Sequence, residues 1–288
     1  MELRKAQEKF INHLGKIGRP KNTAIAYSID IEQLVDFLES NDIYSILHVE
    51  GDMLENFIKS LEKNSYTIKT ISRKINSIKT FFKYLNIDGH LKNNPSVTLK
   101  HQKAEIKAPR ILTKLEYRSL RDSSRNDLRT FAMIELLLQT GIRISELAEI
   151  KLNDLILESN NPKLLIPFRN SIPAREIPMN KSAVDAVKSY LNERPKVDSE
   201  YLFITKSGNT ILIRNIRSTI DKYFKEAGVE NAKVNDIRHT FVAFHIQNGM
   251  NLLTLSKISG HKRLTTTEKY LEYIEAPKIA DKQELAIL

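Results

Sequence analysis

Residues 87–110, IDGHLKNNPSVTLKHQKAEIKAPR, carry Gly89, Pro95 and Pro109 and show no apolar period. A polar run broken by two prolines cannot continue a helix or a central strand. The chain is therefore expected to fold as two domains: residues 1–100, a linker over 101–110, and residues 111–288. Its 288 residues are enough for two cores of ordinary size.

Upstream of the break the pattern is helical. TAIAYSIDIEQLVDFLES sets Tyr27, Ile31, Leu34 and Leu38 at three- and four-residue steps, with Pro20 and Asn22 just ahead as start signals. MLENFIKSLEK is a second helix. SYTIKTISRKINSIKTFFKYLNI is a third, with Ile71, Ile75, Ile78, Phe82 and Leu85 on one face. Arg73, Lys74, Lys79 and Lys83 fall largely off that stripe, where phosphates can meet them. Downstream the types mix. LRTFAMIELLLQT is apolar nearly all round and reads as a buried helix, and ISELAEI follows as a short one after Thr140–Gly141. LNDLIL, KLLIPF and REIPM are strand-like. SAVDAVKSYLNE, IRNIRSTIDKYFKEAG and DIRHTFVAFHIQNG are helical, the last two ending at glycines suited to a C-cap. There is no internal repeat.

Charge narrows the partner. The formal net charge is +10, and it is segregated: Asn22 to Ile58 hold eight acidic residues and no Lys or Arg, whereas Lys59 to Lys107 hold eleven basic residues and three acidic ones. One strongly positive surface is the footprint of a polyanion binder, and nucleic acid is the commonest such partner. The absence of cysteine removes disulfides and thiolate chemistry. There is no Gly-rich phosphate loop and no metal-ligand cluster, so no metal and no cofactor is expected. No run nears the roughly 18 apolar residues of a membrane span, and MELRKAQEKF lacks a signal-peptide core, so the expected location is cytoplasmic.

What remains for chemistry is a set of cations around a tyrosine. TGIRISELAEIKLNDL offers Arg143 at a helix start and Glu146 three residues later; NDIRHTF offers Arg238 and His239; SGHKRLTTTEKYLEY offers His261, Tyr270 and Tyr273. In this order these boxes resemble the tyrosine recombinases, in their Xer-like and phage-integrase branch. The likeness covers nearly the whole chain, most specifically in NDIRHTFVAFHIQNGMNLLTLSKISGHKRLTTTEKYLEY and more weakly in the amino-terminal helices and NNPSVTL.

The resemblance implies a mostly α protein. An N-terminal helical, SAM-like core-binding bundle would precede a mainly helical catalytic domain with a small antiparallel β-sheet. It implies Tyr270 as nucleophile on a DNA phosphodiester, giving a 3′-phosphotyrosyl link and a free 5′-hydroxyl without metal or ATP. Arg143 and Arg238 would grip the phosphate, His261 would donate a further hydrogen bond, and Glu146 would orient Arg143. Tyr273 is taken as packing, and the threonines as the turn or cap opening the tyrosine's helix. Double-stranded DNA and assembly on it into a dimer and then a tetramer are the implied partners. The tail APKIADKQELAIL, with Ile279, Leu285, Ile287 and Leu288, is a candidate for docking on a neighbour or packing in cis.

Two positions depart from the family pattern. Asn235 stands where a histidine usually precedes the second arginine, and an amide cannot take a proton. His239, next to Arg238, is expected to point elsewhere on its helix. The family's hairpin lysine is missing from PFRNSIPAREIPM, where Arg169 or Asn170 takes its place; Lys163, on the preceding strand, reaches in only if the register shifts. Two readings stay open: an active site-specific recombinase, and a DNA-binding protein that keeps the scaffold without turnover. A third, a helix-turn-helix regulator built on LLTLSKISGHKRLTTTEKYL, leaves the Arg143 box unexplained.

Overall fold

A computed structural model of the chain describes residues 1–101, 107–169 and 172–274. The chain forms two compact units, Met1–Ile106 and Lys107–Leu288. Among the described residues no helix is long and apolar enough to cross a membrane.

The first unit is built from α1 (Leu3–Lys16), α2 (Lys21–Glu39), α3 (Gly51–Lys63) and α4 (Ile68–Ile87). The last three are the helices expected from spacing; α1 adds to them, with Leu3, Ala6, Phe10 and Leu14 at a helical period and all buried. The Thr67 side chain accepts a hydrogen bond from the Thr70 amide and starts α4. Phe10, Phe57, Phe81 and Phe82 fill the core together with the aliphatic stripe of α2.

Helix α4 packs against α1, α2 and α3, so more than one of its faces is covered. That overturns one expectation about its cations. Lys74 is 3% exposed and faces inward, because positions 71, 74, 78, 81 and 85 form a second helical row beside the predicted stripe. Its ammonium donates to Asp30 Oδ1 at 2.9 Å; Ser77 Oγ donates to Oδ2 at 2.7 Å, and the Arg73 guanidinium pairs with the same carboxylate. Lys74 is therefore an internal counter-ion and not a phosphate contact, whereas Arg73, whose side chain is 46% exposed, pairs with Asp30 through one terminal nitrogen. Lys79 is half-buried, Lys83 is exposed, and neither has an ion-pair partner among the described residues. Removing Asp30, which is fully buried, should be costly. Asp30→Ala is expected to lower the stability of this unit by about 3–5 kcal/mol, because it strands a buried ammonium; the earliest transition in chemical denaturation of the full chain reads this.

In the second unit α5 (Lys114–Ser123), a helix absent from the expected set, opens on a capping box between Thr113 and Glu116. Helix α6 (Leu128–Thr140) runs through the core against α8 (Lys181–Glu193), α9 (Ile213–Glu226) and α10 (Val234–Gln247). The one-turn helix α7 (Ile144–Leu147) follows α6. A three-stranded antiparallel sheet, in the order β1 (Leu155–Ile156), β2 (Lys163–Ile166), β3 (Arg175–Pro178), lies between α7 and α8 in sequence. Only the end of LNDLIL is strand; Leu152–Asp154 form a 3-10 turn whose Asp154 side chain accepts from the Lys151 amide. The last described elements are α11 (Leu252–Ser259), α12 (Thr265–Glu268) and a 3-10 turn, Lys269–Glu272. Those last two short pieces provide no recognition helix, so the helix-turn-helix reading fails on geometry. The tail from residue 275, and Asn170, lie outside the described residues.

Candidate active site

The site is organised around the carboxyl end of α11. A helix end leaves carbonyls without intrahelical partners and carries partial negative charge, so it attracts cations. Three successive carbonyls there each accept from a different arginine. Arg175 Nε donates to Ile258 O at 2.7 Å, Arg238 Nη2 to Ser259 O at 2.6 Å, and Arg143 Nη2 to Gly260 O at 2.7 Å. Gly260 ends α11 with φ +64°, a conformation that favours glycine, and a Cβ on it would sit 2.8 Å from Arg175 Cζ and displace that guanidinium from its acceptors.

Arg143 caps α7 just after the left-handed Gly141 that ends α6. A Cβ on Gly141 would come within 2.2 Å of the Phe241 ring, and the Gly141 carbonyl accepts from Arg238 Nη1 at 2.5 Å. One glycine thus turns the chain toward Arg143 and holds Arg238. Glu146 ties the set together: it accepts from the Arg143 amide at 2.8 Å, from Arg143 Nη1 at 3.2 Å, and from both terminal nitrogens of Arg175 at 2.9 and 2.8 Å. Burial works to raise the Glu146 carboxyl; the Arg175 bonds, the Arg143 amide and the two positive charges outweigh it and hold it below the ordinary carboxylate range. Arg238 is 7% exposed, and burial, with Arg143 beside it, lowers it to about 10, still cationic at neutral pH. These bonds leave N–H groups on Arg143 and Arg238 available for an anion.

His261 follows Gly260. Its Nδ1 lies 2.8 Å from Thr267 Oγ1, and burial plus the charges of Arg238, Arg143 and Arg175 depress it to about 4, so the ring is neutral near pH 7. The threonines do not cap the next helix as expected: Leu264 is its N-cap, without a side-chain bond, and Thr267 lies inside α12 holding the histidine. Tyr270, on the terminal 3-10 turn, is 6% exposed and packs with Phe241, Val242, Ile246 and Leu255. Its ring is parallel to that of His261 with centroids 6.5 Å apart, and burial raises its pKa against the pull of Arg238. Tyr273 is half-buried. Among the described residues no group of His, Asp and Glu side chains is placed to hold a metal ion.

Comparison with known proteins identifies the family. Residues 107–275 match the phage integrase family, and residues 8–88 match the phage integrase N-terminal SAM-like domain. The chain belongs to the phage integrase family of tyrosine recombinases. It is 31% identical over 282 residues to a tyrosine recombinase XerC of Leptospira interrogans serogroup Icterohaemorrhagiae serovar Lai, covering 93% of this chain and 89% of that one. It is 31% identical over 278 residues to a tyrosine recombinase XerC of Staphylococcus carnosus, covering 93% and 92%. Its fold matches a lambda integrase (75–356) dimer bound to a COC′ core site with a TM-score of 0.77 at 15% identity, covering 98% and 100%. Site-specific recombination through a tyrosine intermediate is what this family does.

Within this recombinase the remaining expectations divide. His239 does not point away. Positions 235, 238 and 239 share one face of α10, and His239 Nδ1 lies 2.5 Å from Tyr270 Oη, while its Nε2 lies 3.1 Å from Asn235 Nδ2. Arg169 bridges Ile172 through the backbone, and its guanidinium pairs with Glu149. Lys163 stays on the far side of the sheet. The register sets Ile166 opposite Arg175 and Lys163 opposite Pro178, so Lys163 and Arg175 project from opposite faces. Lys163 Nζ instead pairs with Glu176 at 2.8 Å.

Arg175 is the residue that sequence reasoning missed. The signal was present: in REIP it shares a face with Ile177, which is buried, and an arginine at an inward strand position must find partners.

Proposed function

We propose that Tyr270 attacks a phosphodiester of duplex DNA, with Arg143 and Arg238 gripping its non-bridging oxygens. The bond from Tyr270 Oη to phosphorus forms as the bond to the 5′-oxygen breaks, so phosphate bond energy stays in the protein for rejoining. The observation that carries this is the seating of three arginines on the carbonyls of Ile258, Ser259 and Gly260, with Tyr270 and His261 beside them. Preorganised cations serve a transition state that gathers negative charge, because they need no reorganisation as the charge develops. With Thr267 donating to Nδ1, His261 keeps its proton on Nε2, where it can donate to the same phosphate. Glu146 and Arg175 hold Arg143 in place.

In this reading residues 1–100 bind DNA, with Lys79 and Lys83 on the phosphate backbone; 101–110 link; and 111–288 cut and rejoin. The solved relatives include a lambda integrase tetramer bound to a Holliday junction, and this chain is expected to assemble on DNA from dimer to tetramer, in the cytoplasm. The seats of Asn235 and Lys163 favour one second reading, a binder with little turnover.

A nicked duplex that loses a short fragment on cleavage separates the two. Incubated in EDTA and run on a denaturing gel, the active protein leaves a covalent adduct, and peptide mapping should put the DNA on Tyr270 and not on Tyr273. Tight binding without adduct favours the second reading. Affinity should fall steeply with salt, since each phosphate contact releases counterions; a flat dependence would count against DNA altogether.

A further inference from the structure

The roles above leave one polar relay unused. Asn235, His239 and Tyr270 come from two elements and connect in series: amide to Nε2 at 3.1 Å, then Nδ1 to the phenolic oxygen at 2.5 Å. Neither the histidine three residues before the second arginine nor the hairpin lysine of the family pattern is present to handle protons here. Resting on Tyr270 as nucleophile, the geometry points to His239 as the general base that takes the phenolic proton, with Asn235 fixing its tautomer.

As Oη bonds to phosphorus, its proton passes to Nδ1 and His239 becomes an imidazolium. The departing 5′-oxygen takes a proton from water. In rejoining, the 5′-hydroxyl attacks phosphorus and loses its proton to water, while Nδ1 returns its proton to the leaving tyrosine oxygen.

Other candidates for this role are occupied or incapable. Asn235 has no site for a proton. His261 Nδ1 is engaged by Thr267, and its ring lies parallel to the phenol at 6.5 Å. Glu146 is bound to Arg143 and Arg175, and Asp236 accepts from the Lys233 amide. For Nδ1 to accept, Nε2 must carry the ring proton. The Asn235 amide meets that need with its oxygen toward Nε2, a half-turn that exchanges the two ends of the amide in place.

The surroundings keep the base unprotonated. Burial is the main force lowering His239, with Arg238 adding to it and Asp236 opposing. The groups facing the ring are therefore Asn235, Asp236 and Arg238 from its own helix, Tyr270 from the terminal turn, and His261 from the loop before α12. Cleavage should be flat around neutral pH and should fall on the acid side as His239 gains a proton.

The test is single-turnover cleavage of the nicked duplex at saturating protein, for wild type and His239→Gln, each with tyrosine or 3,5-difluorotyrosine at position 270. Proton transfer by a positioned base typically contributes about 10²–10⁴-fold, and we expect His239→Gln to slow cleavage by about 10²-fold with DNA affinity unchanged. The acid limb should vanish, and the residual rate should rise with pH because the buried phenol must ionise unaided. The more acidic fluorinated phenol should restore most of the lost rate in His239→Gln while changing the wild-type rate little. Wild-type cleavage by His239→Gln, or an equal loss with both phenols at every pH, overturns the proposal; the latter is what a purely packing role predicts. An adduct that survives Tyr270→Phe overturns the nucleophile assignment, and this base with it.

Discussion

Tyr270→Phe is expected to abolish the covalent protein–DNA adduct while leaving the protein folded and bound to its duplex. The substitution deletes only the reacting oxygen. The ring keeps its place among Phe241, Val242, Ile246 and Leu255, so little apolar contact is lost. One hydrogen bond disappears, that to His239 Nδ1, and its net contribution to stability is about 1 kcal/mol. Thermal unfolding should therefore shift by a few degrees at most, and salt-dependent affinity should be unchanged, because Tyr270 is not among the proposed phosphate contacts. The readout is the labelled band on a denaturing gel. Tyr273 serves as an internal control: if adduct persists at the wild-type level, the nucleophile is elsewhere, and the half-buried Tyr273 becomes the first candidate.

Arg238→Ala should be nearly as severe, and for two separable reasons. A guanidinium held on a transferring phosphoryl group is worth on the order of 10³–10⁵ in rate where such fingers have been removed, and cleavage should fall by that order. The second reason is structural. Arg238 joins the Gly141 carbonyl at the end of α6 to the Ser259 carbonyl at the end of α11, and alanine leaves both buried acceptors unpaired. Each such orphan costs about 1–3 kcal/mol, so the denaturation midpoint should drop as well. Arg238→Lys separates the effects. It keeps a positive charge, but a point ammonium cannot reach two carbonyls and a phosphate with the geometry of a planar fork. We expect it to recover part of the stability and little of the rate; a lysine variant that cleaves at the wild-type rate would remove the phosphate-gripping role from Arg238.

Much of the architecture was legible because it rests on periodicity. The stripe of α2, the all-round apolarity of α6 and the strand pairs that flank the hairpin are written in residue spacing. The order Arg143, Arg238, His261, Tyr270 marked the residues that the structure brings to one helix end. What spacing misjudged were polar groups whose partners lie on other elements. Lys74 looked like a surface cation because the acid that neutralises it, Asp30, sits more than forty residues earlier on α2. His239 is expected to diverge because it neighbours Arg238 on a helix, but its partner, the Tyr270 hydroxyl, comes from a turn more than thirty residues later. Arg175 went unremarked because its acceptors are a backbone carbonyl and a glutamate on another element. Backbone carbonyls have no sequence signature, and three of them organise this site.

That dependence makes failure at the helix end collective. Side chains contributed by three distant stretches of chain hang from neighbouring rungs of α11, so a displacement there moves every cation at once and in the same direction. Substitutions that unwind residues 258–260 should therefore act like a single switch, erasing the whole electropositive cradle in one stroke, where damage to any one contributor would only dim it.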